Sequence, residues 1–338
     1  MKKIVFAFLM IALLFSGQAF CCTGIFINRG QQKLIGRTMD WPTGDGYVSI
    51  NERSHHKRAD SLQDKSPRLE WVAKYGSVTF NMEVKLGWFA NLLALMSGIK
   101  TDPPSCGLNE KGLWGGGFWI HPPPAVIYPQ KDGRVSVNDY QLLEYLLDTS
   151  ATVEEAIRHL QAVRVSGFKT GGFEVDLHWF LADASGDSVI IEFPDGKLRI
   201  HRNPAPPVIT NSFYEHSREY LAGFEGFGGV KPIRIGKGEM SRENRFLFAS
   251  SMLEGYIGDR NGDLDPIFAI MKTVTQTDTG HMQTSQSVTQ WTTVYDLKNR
   301  TLSWTSRGTP ARRSLSLEKT DFTYTGKKTK KIPFDEVF

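Results

Sequence analysis

The 338-residue sequence predicts an α+β fold. Two observations predict it. Strand-like runs fill the chain up to Ile120, and two helical pairs are each followed by a return to strands, the pattern of helices covering sheets. From Cys22, strands are predicted at Thr23 to Asn28 and Lys33 to Met39, joined through Gly30-Gln31-Gln32. Further strands are predicted at Tyr47–Arg53, Ser77–Glu83 and, after the turn Asn109-Glu110-Lys111-Gly112, Gly112–Ile120. The first helical pair is Asn138–Leu147 and Val153–Val163, the second of which opens on a capping box made by Thr152 and Glu155. Strands resume at Val175–Ala182 and Ser188–Phe193, turn at Pro194-Asp195-Gly196-Lys197, and return through Leu198–Arg202. A second helical pair covers Arg242–Leu253 and Pro266–Val274, and strands Thr289–Leu297 and Thr301–Ser306 close the pattern around Lys298-Asn299-Arg300. No internal repeat and no long linker interrupts the series, so one domain is expected over residues 22–338. The basic run Lys327-Lys328-Thr329-Lys330-Lys331 reads as a solvated tail.

Composition narrows the function classes. A chain with 40% hydrophobic and 22% charged residues buries a core rather than staying disordered. Its formal charge of +4 is too small to mark a nucleic-acid footprint. Three cysteines exclude a disulfide-stapled scaffold, and the eight histidines show neither HExxH nor CxxC spacing, so neither metal nor cofactor is expected. There is also no GxSxG elbow and no GxxxxGK[ST] loop; Gly115-Gly116-Gly117 and Gly226-Phe227-Gly228-Gly229 read as tight backbone.

Lys2 and Lys3 precede an apolar run from Ile4 to Phe15, then Ser16-Gly17-Gln18-Ala19-Phe20-Cys21-Cys22, which is the secretory leader pattern. The run is shorter than the ~20 apolar residues that a spanning helix needs. Small residues Ala19 and Cys21 place the cut between Cys21 and Cys22, with a cut after Ala19 as the alternative. The expectation is a periplasmic or secreted protein, without a membrane anchor, that keeps just Cys22 and Cys106. A disulfide between those two is the competing use of the thiols.

A cut before Cys22 gives that thiol a free α-amine on the same residue. The amine titrates near ~7.7–8.0 and the thiol near ~8.5, so the amine can take the thiol proton without a histidine. A hairpin would bring Gly36-Arg37-Thr38-Met39-Asp40-Trp41 back beside Cys22. Arg37 would then favour the thiolate by charge and Asp40 would hold the ammonium or thiol. The alternative is a surface Arg37–Asp40 pair of little energetic value.

With Cys22-Thr23 and Arg37-x-x-Asp40 the chain resembles the choloylglycine hydrolase family of bile salt hydrolases and penicillin V acylases. The resemblance continues, in the family's order, through Gly107-Leu108-Asn109-Glu110-Lys111-Gly112-Leu113, Thr210-Asn211-Ser212, Asn244-Arg245-Phe246, Trp291-Thr292-Thr293-Val294-Tyr295-Asp296 and Leu302-Ser303-Trp304. It implies a four-layer αββα N-terminal nucleophile hydrolase sandwich. Cys22 is implied as the nucleophile on an amide carbonyl, its α-amine as base and then acid, and Arg37 and Asp40 as the pair that orients it. Asn211 is implied as oxyanion donor, although as a residue it also reads as a turn cap before Ser212, and Arg245 as a supporting guanidinium. Trp119 aligns with the second oxyanion contact, where Gram-positive members carry Asn or Tyr. Together with Trp41 it resembles the Gram-negative exported branch, similar to penicillin V acylases that also cleave long-chain N-acyl homoserine lactones. Two indoles there would bind an apolar acyl or aryl group; the alternative places both in the core.

The resemblance thus implies an exported amidase that acts on a small-molecule N-acyl amide through a thioester. A conjugated bile salt hydrolase and a non-catalytic exported binding protein on the same fold are the alternatives. It also implies a homo-oligomer, since the family often forms homotetramers. The apolar stretch Leu86 to Met96 reads equally as a flap over the acyl pocket or as an ordinary buried element.

Overall fold

The computed structural model describes residues 21–41, 44, 46–62, 64–82, 102–120, 126–170, 173–174, 176–234, 240–256, 263–276, 288–326 and 330–334. Residues 1–20, within the expected leader, and the stretch Leu86 to Met96 lie outside the described residues.

The hairpin predicted at the start is present: strands Cys21–Arg29 and Gln32–Trp41 pair antiparallel around Gly30, whose φ of +55° is a conformation glycine adopts without penalty. They form the middle of a six-stranded antiparallel sheet in the order Val208–Ile209, Cys21–Arg29, Gln32–Trp41, Val288–Asp296, Thr301–Ser306, Arg313–Ser316. An eight-stranded antiparallel sheet lies against it, in the order Arg199–Arg202, Ser188–Glu192, Leu177–Ala182, Trp114–Trp119, Pro104–Asn109, Ser77–Met82, Gly46–Asn51, Lys330–Pro333.

Alternation along the second sheet sends side chains to two separate cores. Phe180, Ala182, Ile190, Trp114 and Phe118 face the first sheet, while Trp179, Leu181, Val189 and Ile191 face the helices Asp139–Thr149 and Val153–Ala162. Because both faces are covered, these strands read as continuous apolar runs rather than as half-polar ones. The outer face of the first sheet is covered by Arg242–Glu254 and Asp265–Thr273. The architecture is therefore the four-layer αββα sandwich. Two glycines show how closely the layers approach. A Cβ on Gly24 would stand 2.6 Å from the Phe118 ring of the facing sheet, and one on Gly36 would stand 2.7 Å from Met271 Sδ of the covering helix.

Element ends moved by one or two residues, and the Thr152 cap holds: its hydroxyl accepts the Glu155 N–H at 3.2 Å, and Glu155 returns to the Ala151 N–H at 2.8 Å. The strand Pro104–Asn109 and the helix Tyr214–Leu221 were not predicted. The Pro103-Pro104 pair hides the first, and the second is too short to show a clear apolar period. The basic run is corrected in part. Lys330–Pro333 is an edge strand, with Ile332 buried and Lys331 Nζ 2.8 Å from Asp102 Oδ2, while residues 327–329 are outside the described part. Among the described residues no helix is long and apolar enough to cross a membrane.

Candidate active site

The hairpin register sets Cys22 opposite Met39, Cys21 opposite Asp40 and Gly24 opposite Arg37. Strand alternation then separates the two charged residues. Arg37 is on the face toward the second sheet, where it donates to the Ser105 carbonyl and, at 2.8 Å, to the Gly117 carbonyl, with its Cζ 4.5 Å above the Phe118 ring. Asp40 is on the opposite face. It accepts from Thr289 Oγ1 at 2.5 Å, and its Oδ2 lies 3.8 Å from Arg245 Nη1 without a hydrogen-bond donor among the described residues. Both side chains are buried, which corrects the surface-pair alternative.

Cys22 is buried, and its thiol lies 4.0 Å from Arg37 Nη2 and 3.6 Å from Met39 Sδ. Burial pushes the thiol up; the Arg37 cation works against that rise and the Asp40 carboxylate adds to it. A thiol in this setting keeps its proton and needs a base to take it. Burial likewise raises Asp40, to about 6, against the opposing charge of Arg245 and the hydrogen bonds from Thr289 and Thr38. Cys106 is free and buried, with its Sγ 3.2 Å from the Tyr295 hydroxyl, so the two thiols are not joined.

Asn211 arrives by register. The short strand Val208–Ile209 pairs Ile209 with Gly24, so two residues further on the chain is level with Cys22. Asn211 Oδ1 accepts the Cys22 N–H at 2.6 Å and Arg245 Nη2 at 2.9 Å, while its Nδ2 donates to the Trp119 carbonyl at 2.6 Å. The Cys22 nitrogen here is a peptide nitrogen bonded to Cys21; it stands where the α-amine would be once that bond is cut. Arg245 projects from the first turns of the helix capped by Ser241 and also donates from Nη1 to the Cys22 carbonyl at 2.7 Å and to Thr23 Oγ1 at 2.8 Å. Trp41 and Trp119 are half-buried rather than core, and their rings stack with centroids 5.9 Å apart and planes inclined by 28°. The structure therefore brings all the sequence-predicted site residues, Cys22, Arg37, Asp40, Trp41, Trp119, Asn211 and Arg245, around one strand end.

Several participants were missed. Thr289, Ser105, Gly117 and Phe118 belong to other strands, and no local sequence signal connects them with Cys22. Gly116 was read as tight backbone only. A Cβ there would come within 2.7 Å of Arg37 Nη1 and 2.8 Å of the Trp114 ring, so this glycine provides the space for the guanidinium. Among the described residues no cluster of His, Cys, Asp and Glu is arranged to hold a metal ion.

Comparison with known proteins places this geometry. The family model of linear amide C–N hydrolases, choloylglycine hydrolase family, matches residues 22–235. The chain is 31% identical over 224 residues to the penicillin V acylase of Pectobacterium atrosepticum, a match covering 62% of this chain and 54% of that protein. It is 30% identical over 200 residues to the bile salt hydrolase/transferase of Clostridium perfringens, covering 56% and 53%. The chain thus spans about half the length of the curated relatives it matches. Among solved structures, the penicillin V acylase from Agrobacterium tumefaciens superposes with a TM-score of 0.71 at 26% identity, over 92% of this chain and 90% of that one. A mutant conjugated bile acid hydrolase from Clostridium perfringens gives 0.72 at 19% identity, over 94% and 98%, a likeness of fold alone.

Proposed function

The chain belongs to the choloylglycine hydrolase family of linear amide C–N hydrolases, and from that premise we propose that it is an exported amidase which hydrolyses a linear N-acyl amide through a thioester on Cys22. The observation that carries the reading is the grip on Cys22: Asn211 and Arg245 hold its nitrogen and its carbonyl while Arg37 lies beneath its sulfur. Nothing in a binding protein's task asks for that convergence on one buried thiol.

The chemistry follows from the arrangement. Removal of residues 1–21 during export converts the Cys22 nitrogen into an amine that can donate to Asn211 Oδ1 and keep a lone pair for the thiol proton. The sulfur attacks the amide carbon, the proton passes to the amine, and the carbonyl oxygen becomes an oxyanion. Asn211 Nδ2 has a second hydrogen beyond the one given to Trp119, and that hydrogen and the Trp119 backbone N–H are the proposed oxyanion donors. The protonated α-amine then returns its proton to the departing amine, leaving the Cys22 thioester. Water, deprotonated by the same amine, releases the acid. Asp40, buried and with one oxygen that accepts no hydrogen bond from the described residues, gives the ammonium a counter-charge.

The stacked indoles of Trp41 and Trp119 support an acyl group with a flat or long apolar part, as in penicillin V or an N-acyl homoserine lactone. Expression of the whole precursor with export, intact-mass measurement, and assay on penicillin V, N-acyl homoserine lactones and conjugated bile salts test the reading. A mass beginning at Cys22 with two free thiols and cleavage of the first two classes is expected. Preference for bile salts would move the substrate to the steroid amides. An untrimmed Cys21, or no turnover by a correctly trimmed protein, would favour the binding protein.

A further inference from the structure

We propose that a buried ion pair between His178 and Glu192 is a positioning device for Asn211, clamping both ends of the loop that carries it. The inference rests on the reading of Asn211 as an oxyanion donor.

His178 lies in the strand Leu177–Ala182 and Glu192 ends the neighbouring strand Ser188–Glu192; both are buried. His178 Nδ1 is 2.9 Å from Glu192 Oε1, and Nε2 is 2.9 Å from the Thr210 carbonyl oxygen. A carbonyl oxygen can only accept. Glu192 Oε1 also accepts the Tyr214 N–H at 2.9 Å, and Oε2 faces His201 Nε2 at 3.1 Å. Both nitrogens of His178 therefore face acceptors, and the arrangement is satisfied when both bear hydrogens, that is, by an imidazolium beside a carboxylate. Burial alone would raise Glu192, but the hydrogen bonds from His178 and His201 bring it down to about 2. The other groups around the pair are the Phe118 ring, edge-on to His178 at 6.1 Å, and, beyond His201, Glu215 at 3.5 Å and the Tyr214 ring at 5.1 Å.

The two ends of this pair bracket Asn211. The Thr210 carbonyl belongs to the peptide bond leading into Asn211, and the Tyr214 N–H opens the helix that follows. A neutral imidazole has one N–H and would release either Thr210 or Glu192; the charged pair holds both. Buried ion pairs add little net stability, so what this one supplies is placement of the Asn211 amide.

Two measurements on the trimmed protein test this. Nitrogen-15 labelling of histidine should show both His178 ring nitrogens bearing hydrogen at pH 8, assigned through the Glu192→Gln and His178→Gln variants; a single N–H would overturn the ion pair, and the wild-type measurement stands even if the variants fold poorly. In steady-state kinetics with penicillin V, Glu192→Gln should lower kcat by roughly tenfold with KM within about twofold, part of the ~10²–10³ that loss of an oxyanion donor costs. In an Asn211→Ala background the same change should cost nothing further. An equal loss in both backgrounds would show that the pair does not act through Asn211. Turnover retained by Cys22→Ser would instead refute Cys22 as the nucleophile and the thioester with it, whatever the histidine spectrum shows.

Discussion

Arg245 donates from Nη2 to Asn211 Oδ1 at 2.9 Å, and with the Cys22 N–H on the same oxygen this bond sets which way the amide faces. With the oxygen turned toward Arg245 and the Cys22 nitrogen, the amide nitrogen can only point toward Trp119 and the side where a substrate carbonyl would lie. Arg245→Lys keeps the charge and loses the planar fork that reaches Cys22, Thr23 and Asn211 together. Asn211→Ala is expected to lower kcat by ~10²–10³, and Arg245→Lys by roughly tenfold, with KM little changed. Steady-state kinetics on trimmed protein checks both; unchanged kcat in Asn211→Ala would remove that residue from the oxyanion site.

The nucleophile assignment predicts that Cys22→Ser abolishes amide cleavage while near-ultraviolet circular dichroism stays that of the wild type. Cys106→Ser should leave turnover intact, since that thiol faces Tyr295 and is not bonded to Cys22.

Gly116→Ala is a sharper test than its size suggests. The added methyl meets Arg37 Nη1 and the Trp114 ring, and overpacking of this kind costs about 1–3 kcal/mol. Chemical denaturation should report that loss. Turnover should fall further than the stability does, because the Arg37 cation is displaced from beneath the thiol.

Asp40 gives a dependence on pH with a definite sign. In the unprocessed chain its value is raised from 3.8 to about 6, so the folded state holds the proton more tightly than the unfolded chain. That contribution to stability is fully present below about 3.8 and is lost as the pH rises through about 6. Subtracting the Asp40→Asn stability profile from that of the precursor should show this decline. The proposed mechanism uses the Asp40 carboxylate as counter-charge to the ammonium, so the acidic limb of kcat/KM should move when Asp40 becomes Asn.

The closing strand Lys330–Pro333 predicts a structural result. Phe334, just beyond it, is buried, stacks on Phe80 with centroids 5.7 Å apart, and accepts the Trp304 indole N–H through its carbonyl at 3.2 Å. Phe334→Ala should cost about 3–5 kcal/mol, measured by denaturation. A free solvated tail would show no change.

Much of this protein was legible in its residues. Strand-like runs bounded by turn residues give the strands, and a side chain's face then follows from its place along the strand. Cys22, the Arg37 and Asp40 that the hairpin returns beside it, and Trp41 are near neighbours once that hairpin is drawn, whereas Trp119, on the facing sheet, was placed by resemblance. Asn211 and Arg245 came from resemblance, since nothing local ties them to Cys22. Tertiary structure alone decided the rest. It put Arg37 and Asp40 on opposite faces of one sheet, chose Ser105, Gly117 and Phe118 as the bed for the guanidinium, and made Gly116 the gap it fills. It also set His178 and Glu192 behind the Asn211 loop and drew Lys330 and Lys331 into a sheet edge. The physical reason is the same in each case: hydrogen bonds and exclusion of volume act between strands distant in the chain, and their partners are chosen by how the sheets stack.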